Sequence, residues 1–165
     1  MTIQIGERFP DVTLSESKEF GEACPLNPAD VKTGAAMKGK KVVVFGLPGA
    51  YTPTCSAKHL PGYVEKLEAL KGKKVDEIWC VSVNDGYVMA AWGKDHDAIG
   101  KVRMLGDGSA ELAKKLGIDK DIPGMGVRMK RFSALIDDGV VKQFNLEAPG
   151  KFEVSDVDTM LRQLG

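Results

Sequence analysis

Three cysteines stand in the sequence, Cys24, Cys55 and Cys80, an odd number with no C-x-x-C pair. That pattern points away from a secreted disulfide framework and from a cysteine-rich zinc site, and leaves two roles, buried filler and reactive thiol. Cys55 has the stronger claim to chemistry because of what precedes it. In Thr52-Pro-Thr-Cys55 the threonine suits a helix N-cap, and Pro53 suits the first helical position, where its missing N–H is harmless. Cys55 then falls at N3, and an N-cap hydroxyl reaches the N2 or N3 amide, which would set Thr52 beside Cys55. The plain alternative is an ordinary cap followed by a small buried residue.

Energetics sharpens the choice. A free thiol with a pKa of about 8.5 is only about 3% thiolate at pH 7, and the thiolate is the nucleophile. Raising that fraction to roughly 90% takes about 3.4 kcal/mol of differential stabilisation. A helix N-terminus supplies about 0.3–1 kcal/mol, and up to ~2 when partly buried. A cation must therefore stand nearby, and the candidates are Lys58, His59, Arg128 and Arg131. His59, four residues on, would share a helix face with Cys55 and could form a Cys–His dyad. Arg131 opens Arg131-Phe-Ser-Ala-Leu-Ile-Asp137, a segment that can lie next to the sheet edge carrying the loop. Spacing alone does not choose among them.

The elements that must position these residues read as follows. Val42-Val-Val-Phe-Gly-Leu47 is a short β-branched run, a buried strand, broken by Pro48-Gly49. Leu60, Tyr63, Val64, Leu67 and Leu70 recur at helical spacing and predict a helix from Thr54 to about Leu70, kinked at Pro61-Gly62. Val75–Val83 reads as a second buried strand. A helix over Tyr87–Lys94, a strand at Val102–Leu105 and a helix at Ala110–Leu116 follow. Met129–Ile136 and Val140–Asn145 read as a hairpin around Asp137-Asp-Gly139, and Val154–Leu164 closes the chain as an amphipathic helix. The first forty residues look irregular. The order βαβ, α/β continuation, hairpin and final helix demands both parallel and antiparallel pairs. An α/β fold with a mixed central β-sheet flanked by helices on both faces results, a thioredoxin-like architecture. Sites in such sheets lie beyond the carboxyl ends of strands, here between Leu47 and Cys55.

Length and charge bound the rest. A chain of 165 residues suits one domain spanning 1–165 with a core that needs no staple. Lys plus Arg and Asp plus Glu are both 23, so the formal net charge is zero, which gives no footprint for nucleic acid or an acidic membrane. No apolar run approaches the ~18 residues of a spanning helix, and Met1-Thr-Ile-Gln-Ile-Gly-Glu lacks a basic-then-apolar leader pattern. The expectation is a cytoplasmic protein with no membrane and no nucleic-acid partner.

Pro48-Gly-Ala-Tyr-Thr52-Pro-Thr-Cys55 fits P-x-x-x-T-x-x-C and resembles the peroxiredoxin active-site loop. With Ser56 and Lys58-His-Leu-Pro-Gly62 it is similar to the type II, peroxiredoxin-five-like, subfamily. Cys80-Val-Ser-Val-Asn-Asp85, Ala91-Trp-Gly93 and Arg128-Met-Lys-Arg-Phe132 ahead of Asp138-Gly139 extend the resemblance over most of residues 38–145. The resemblance implies a thiol peroxidase of antioxidant defence that reduces hydrogen peroxide and small alkyl hydroperoxides. It implies no cofactor and no metal, a homodimer, and thioredoxin or glutaredoxin/glutathione as reductant. By position, Cys55 matches the peroxidatic cysteine that becomes a sulfenic acid. Thr52 matches the threonine that hydrogen-bonds peroxide and sulfur, Pro48 the shielding proline, and Arg131 the active-site arginine. Arg128 is then a surface or interface neighbour, and His59 matches a position not credited with catalysis.

Resolution of the sulfenic acid divides the subfamily. Cys80 stands where some members carry a second cysteine used in an intramolecular disulfide. Against that, Cys80 sits mid-strand, about 10 Å below the active edge at ~3.3 Å per residue. A disulfide needs Cα atoms within about 7 Å, so the helix start would have to unwind. Cys80 and an external thiol both remain open as resolver. Ser155 lies in the stretch where other members place a resolving cysteine, and Cys24 matches no family position. The competing readings are a Cys55–His59 acyl-transfer hydrolase and a redox-inactive thioredoxin-fold interaction module; a lone C-x₃-H does not make a metal site.

Overall fold

The computed structural model describes residues 1–165. Two short antiparallel strands, β1 (Thr13–Glu16) and β4 (Ala29–Lys32), flank a small ribbon of β2 (Glu19–Phe20) and β3 (Pro25–Leu26). Strand β4 runs into α1 (Thr33–Met37), and β5 (Lys41–Leu47) follows. A π-helical turn (Cys55–His59), α2 (Leu60–Glu65) and α3 (Leu67–Gly72) lead to β6 (Glu77–Ser82). Then come α4 (Gly86–Asp95), β7 (Arg103–Gly106), α5 (Glu111–Leu116), the β8 (Asp119–Ile122) and β9 (Gly126–Met129) hairpin, β10 (Phe132–Asp137), β11 (Val140–Leu146) and α6 (Val157–Leu164).

Seven strands form one sheet in the order β11-β10-β5-β6-β7-β1-β4. Strands β5, β6 and β7 are parallel, and β10, β11, β1 and β4 add antiparallel pairs on the two sides. The mixed thioredoxin-like sheet expected from the element order is what forms. Period-2 alternation along β5 divides the core. Val42 and Val44 face one layer with Met37 of α1 and Leu112, Ala113 and Leu116 of α5. Val43, Phe45 and Leu47 face the other with Leu60, Tyr63, Leu70, Trp92 and Met160 of α2, α3, α4 and α6. Helices cover both faces, and Cys55 and Cys80 belong to the second layer.

Several elements depart from the sequence reading, each for a physical reason. The supposedly irregular N-terminal region supplies β1 and β4, four-residue strands whose buried apolar residues are only Leu14 and Val31, too little periodicity to register. The helix after Cys55 meets Pro61 through a π-helical turn, Cys55–His59, placed just ahead of it. Pro61 has no N–H for the carbonyl of Ala57 and its ring would crowd that oxygen, and the turn before it widens so that the Leu60 amide reaches Cys55 O. A break that the helical spacing did not predict follows at Lys66, between α2 and α3. The run read as one strand from Met129 to Ile136 is two, β9 and β10, parted at Lys130-Arg131. The Asp138-Gly139 turn forms as expected, with φ values of 49° and 81°, the left-handed pair a tight hairpin needs.

Packing leaves no room for a side chain where β5 meets β10. Gly46 pairs with Phe132, and a Cβ added there would lie 2.2 Å from the Phe132 ring and 2.7 Å from the Met129 sulfur. Overpacking of that kind costs about 1–3 kcal/mol. Gly46→Ala is therefore expected to lower the unfolding free energy from chemical denaturation by that amount; an unchanged value would show that ring and sulfur step aside freely.

Candidate active site

The segment between β5 and the π-turn is held on every side. Pro48 and Gly49 end β5, and the Ala50 amide donates to Asn84 Oδ1 at 3.0 Å, which also accepts from Ser82 Oγ at 2.8 Å. Tyr51 adopts φ 63°, a left-handed conformation that a bulky side chain keeps only when its surroundings impose it. Its phenol donates to Asp95 of α4 at 2.7 Å, and with burial and that carboxylate its pKa is raised to about 12. On the far side, Arg128 Nη1 donates to the Pro48 carbonyl at 3.2 Å while Nε donates to Met125 O at 3.0 Å. Arg128 thus braces the loop from β9, a role not read from the sequence, where it was expected at a surface or interface.

Thr52 and Pro53 begin the helix as anticipated, with Thr52 O accepting the first helical bond from the Ser56 amide at 2.9 Å. The Thr52 hydroxyl does not cap it. It turns back to donate to Gly49 O at 2.8 Å, which leaves its lone pairs as acceptors. Cys55 is fully buried, and one cation reaches it: Arg131 Nη2 donates to Cys55 Sγ at 3.1 Å. Arg131 lies 76 residues away in the chain. It stands just before β10, whose antiparallel pairing of Phe132 with Gly46 sets it at the carboxyl end of β5. The β9–β10 break is what frees Arg131 from the sheet.

The Cys–His dyad weighed from spacing is not formed. His59 is buried to 1% exposure and directs Nδ1 at Arg131 Nη1 (2.9 Å) and Nε2 at Ser155 O (3.1 Å). Burial, then the Arg131 charge, drive its pKa down to about 3, against the Ser155 hydrogen bond. Pro48, Thr54 and Arg131 line one wall of a groove of about 350 Å³ shared with Lys120, Met129 and Phe152. Cys80 is also fully buried and free, paired with Phe45 on β5 and Met104 on β7. Burial pushes its thiol well above the ordinary range, the Cys55 charge pushes it further, and Arg131 opposes. Cys24 is free and exposed, apart from this constellation.

The redoxin family signature matches residues 4–161. Peroxiredoxin-2B of Arabidopsis thaliana is 48% identical over 164 residues, covering 98% of each chain. The chain belongs to the redoxin family, among the peroxiredoxins. Among solved structures, the reduced Prx3 of Vibrio vulnificus in complex with hydrogen peroxide is similar at 42% identity and a TM-score of 0.91, with 99% of this chain and 100% of that one covered. A Burkholderia cenocepacia chain provisionally described as a thioredoxin reductase is similar at 51% identity and a TM-score of 0.94, over 100% and 99% of the two chains. As a peroxiredoxin, the chain is a thiol-dependent peroxidase, an oxidoreductase acting on peroxide.

This peroxiredoxin also carries supports that no motif announced. Asn84 lies within the Cys80–Asp85 match, but spacing gave no hint that it would hold Ala50. Glu147, one residue beyond β11, accepts from the amides of Glu153, Val154 and Ser155 and from Ser155 Oγ, all at 2.7–3.0 Å. Burial pushes its pKa up, but these donors outweigh it and the net shift is down. A carboxylate depressed in the folded state stabilises above its unfolded pKa, about 4.3 for glutamate, and that contribution is lost as pH falls through the folded value. Comparing unfolding free energies of the wild type and Glu147→Gln from pH 7 to pH 3, the gap is expected to be widest near neutrality and to shrink below about pH 4. A gap constant across that range would show that the carboxylate's charge is immaterial.

Proposed function

We propose that Cys55 is the thiolate that attacks peroxide, and that the whole chain, residues 1–165, acts as one domain around it. The observation that carries this reading is the 3.1 Å donation from Arg131 to Cys55 Sγ. The thiolate is the attacking form, and Arg131 is the one cation in contact with this buried sulfur.

The sulfur attacks one peroxide oxygen, forming an S–O bond as the O–O bond breaks. Sulfur is oxidised by two electrons to a sulfenic acid, and the departing oxygen leaves as hydroxide or alkoxide, which takes up a proton. Negative charge moves off sulfur and along the S···O–O axis, so the groups that matter are donors fixed along that path. Arg131 supplies one that is always charged and fork-shaped. The Thr52 hydroxyl, its proton committed to Gly49 O, offers a lone pair to a peroxide O–H and so orients it. Pro48 roofs the loop, its carbonyl pinned by Arg128. The groove lined by Pro48, Thr54 and Arg131 offers an approach to the buried sulfur, and we assign hydrogen peroxide and small alkyl hydroperoxides as its substrates.

For recycling, the observations favour an external thiol. Cys80 lies in the central strand of β5-β6-β7 and its thiol is held protonated by burial, a poor nucleophile. We assign the reductant to a glutaredoxin/glutathione or thioredoxin class. The first thiol condenses with the sulfenic acid, releasing water and leaving a mixed disulfide on Cys55. A second thiol then exchanges with it, returning Cys55 and carrying away a disulfide. A reducing setting such as the cytoplasm is consistent with the exposed free Cys24. A homodimer is supported by exposed Met125 and Val127 on the β8–β9 hairpin that braces the loop.

Two measurements test the reading. After one equivalent of hydrogen peroxide under non-reducing conditions, intact mass is expected to show one added oxygen on the wild type and none on Cys55→Ser. Loss of two hydrogens, with a Cys55–Cys80 peptide on digestion, would overturn the external-thiol assignment. Arg131→Lys keeps the charge but loses the fork, and peroxide turnover is expected to fall by about a hundredfold, the scale for removing one transition-state donor. A wild-type rate in that variant would move the role to another group.

A further inference from the structure

His59 is a buried titratable side chain outside the electron and proton path of the reaction, and its surroundings assign it a definite chemical form. Arginine can only donate hydrogen bonds, so the ring nitrogen facing Arg131 Nη1 at 2.9 Å, Nδ1, must accept. A backbone carbonyl can only accept, so Nε2, 3.1 Å from Ser155 O, must carry the proton. The other tautomer and the imidazolium would each point an N–H at the guanidinium. The same Ser155 oxygen takes the Tyr63 phenol at 2.9 Å, which fills its second lone pair. Phe45, Tyr63 and Phe152 pack around the imidazole at centroid distances of 4.9, 5.8 and 5.1 Å. The Ser155 segment is fixed in turn by the Glu147 carboxylate.

We propose that His59 is a positioning residue for the peroxidase reaction: with its proton held on Nε2 by Ser155 O, it grips one arm of Arg131 through Nδ1 and so aims the other arm at the Cys55 sulfur. This rests on the reading of Cys55 and Arg131 above. Two N–H groups on different nitrogens of one planar guanidinium are spoken for, one by His59 and one by Cys55. Holding Nη1 at His59 narrows the range of orientations in which Nη2 can leave the sulfur. His59 is neither a base for Cys55 nor a source of charge. Its contribution is the direction of a donor, a quantity to which transition-state stabilisation is sensitive.

The experiment has three arms on the full chain. In ¹⁵N-labelled wild type, His59 is expected to show the Nε2–H neutral tautomer from pH 5 to pH 8; an Nδ1–H form or an imidazolium overturns the proposal. This arm reads no activity, so it stands apart from the peroxidase reading, which Cys55→Ser tests, and it needs no variant to fold. In the second arm, His59→Leu is expected to slow Cys55 oxidation by hydrogen peroxide by about tenfold to a hundredfold, the usual scale for an outer-shell partner. His59→Asn, whose Oδ1 can stand near the Nδ1 position, is expected to recover most of that loss, and equal losses in the two variants overturn the role. In the third arm, His59→Leu is added to Arg131→Ala. A residue that acts only through Arg131 has no further effect once Arg131 is gone, so additive losses overturn the coupling.

Discussion

One guanidinium joins the parts of this site. Arg131 gives one N–H to a buried sulfur and another to a buried imidazole, and neither acceptor has another cation in contact. The strand pairing that brings it there is antiparallel, β10 against β5, in a sheet whose other central pairs are parallel. That reversal matters because the start of β10 meets the end of β5. A parallel strand in the same place would have delivered its first residue to the opposite edge of the sheet. The mixed topology is thus a requirement of the chemistry as well as a way to bury apolar surface.

The loop carrying Cys55 is fixed by four side chains from three parts of the fold: Arg128 in β9, Asn84 after β6, and Asp95 and Trp92 of α4, the indole donating to Ser56 Oγ at 3.0 Å. Together they hold Tyr51 at a positive φ that it would not adopt alone. The π-turn belongs to the same arrangement. An extra residue in the turn between Cys55 and His59 absorbs the conflict that Pro61 creates, and the two side chains end on either side of Arg131 rather than against each other. The i+4 spacing that suggested a direct Cys–His contact assumes a regular α-helix, and this turn is not one.

What the sequence made legible follows from the range of the forces involved. The β-branched run at Val42–Leu47, the Asp138-Gly139 turn and the helix start at Pro53 are local, and each shows in a few consecutive residues. Cys55, Thr52 and Pro48 form one short motif for the same reason. Arg131 could be named over Arg128 only through the family resemblance, since spacing does not choose between them: the contact is made by a strand break and a register 76 residues from the sulfur. Glu147 and Asn84 bind backbone amides with their side-chain oxygens, and Ser155 serves His59 with its carbonyl, so the backbone half of each contact, which every residue carries, leaves no mark in the sequence. The edge strands β1 and β4 were missed because a strand of four residues offers two inward positions, and two points do not make a period.

Cys55 and Cys80 show how far environment outweighs residue type. Both are free, fully buried and part of one hydrophobic layer. A buried charge without a partner is costly, so what separates the two is which groups reach each sulfur. Cys80 has strands on both sides and no donor at its sulfur, and its thiol is driven far from ionisation. Cys55 lies at the end of a strand-to-helix connection, where a guanidinium can enter from outside the sheet. Moving a cysteine from the middle of β6 to the turn that follows the β5 loop changes no side-chain chemistry, only which donors can reach the sulfur. The sheet edge is therefore where this fold can place a nucleophile, and its centre is where it can bury the same atom as filler.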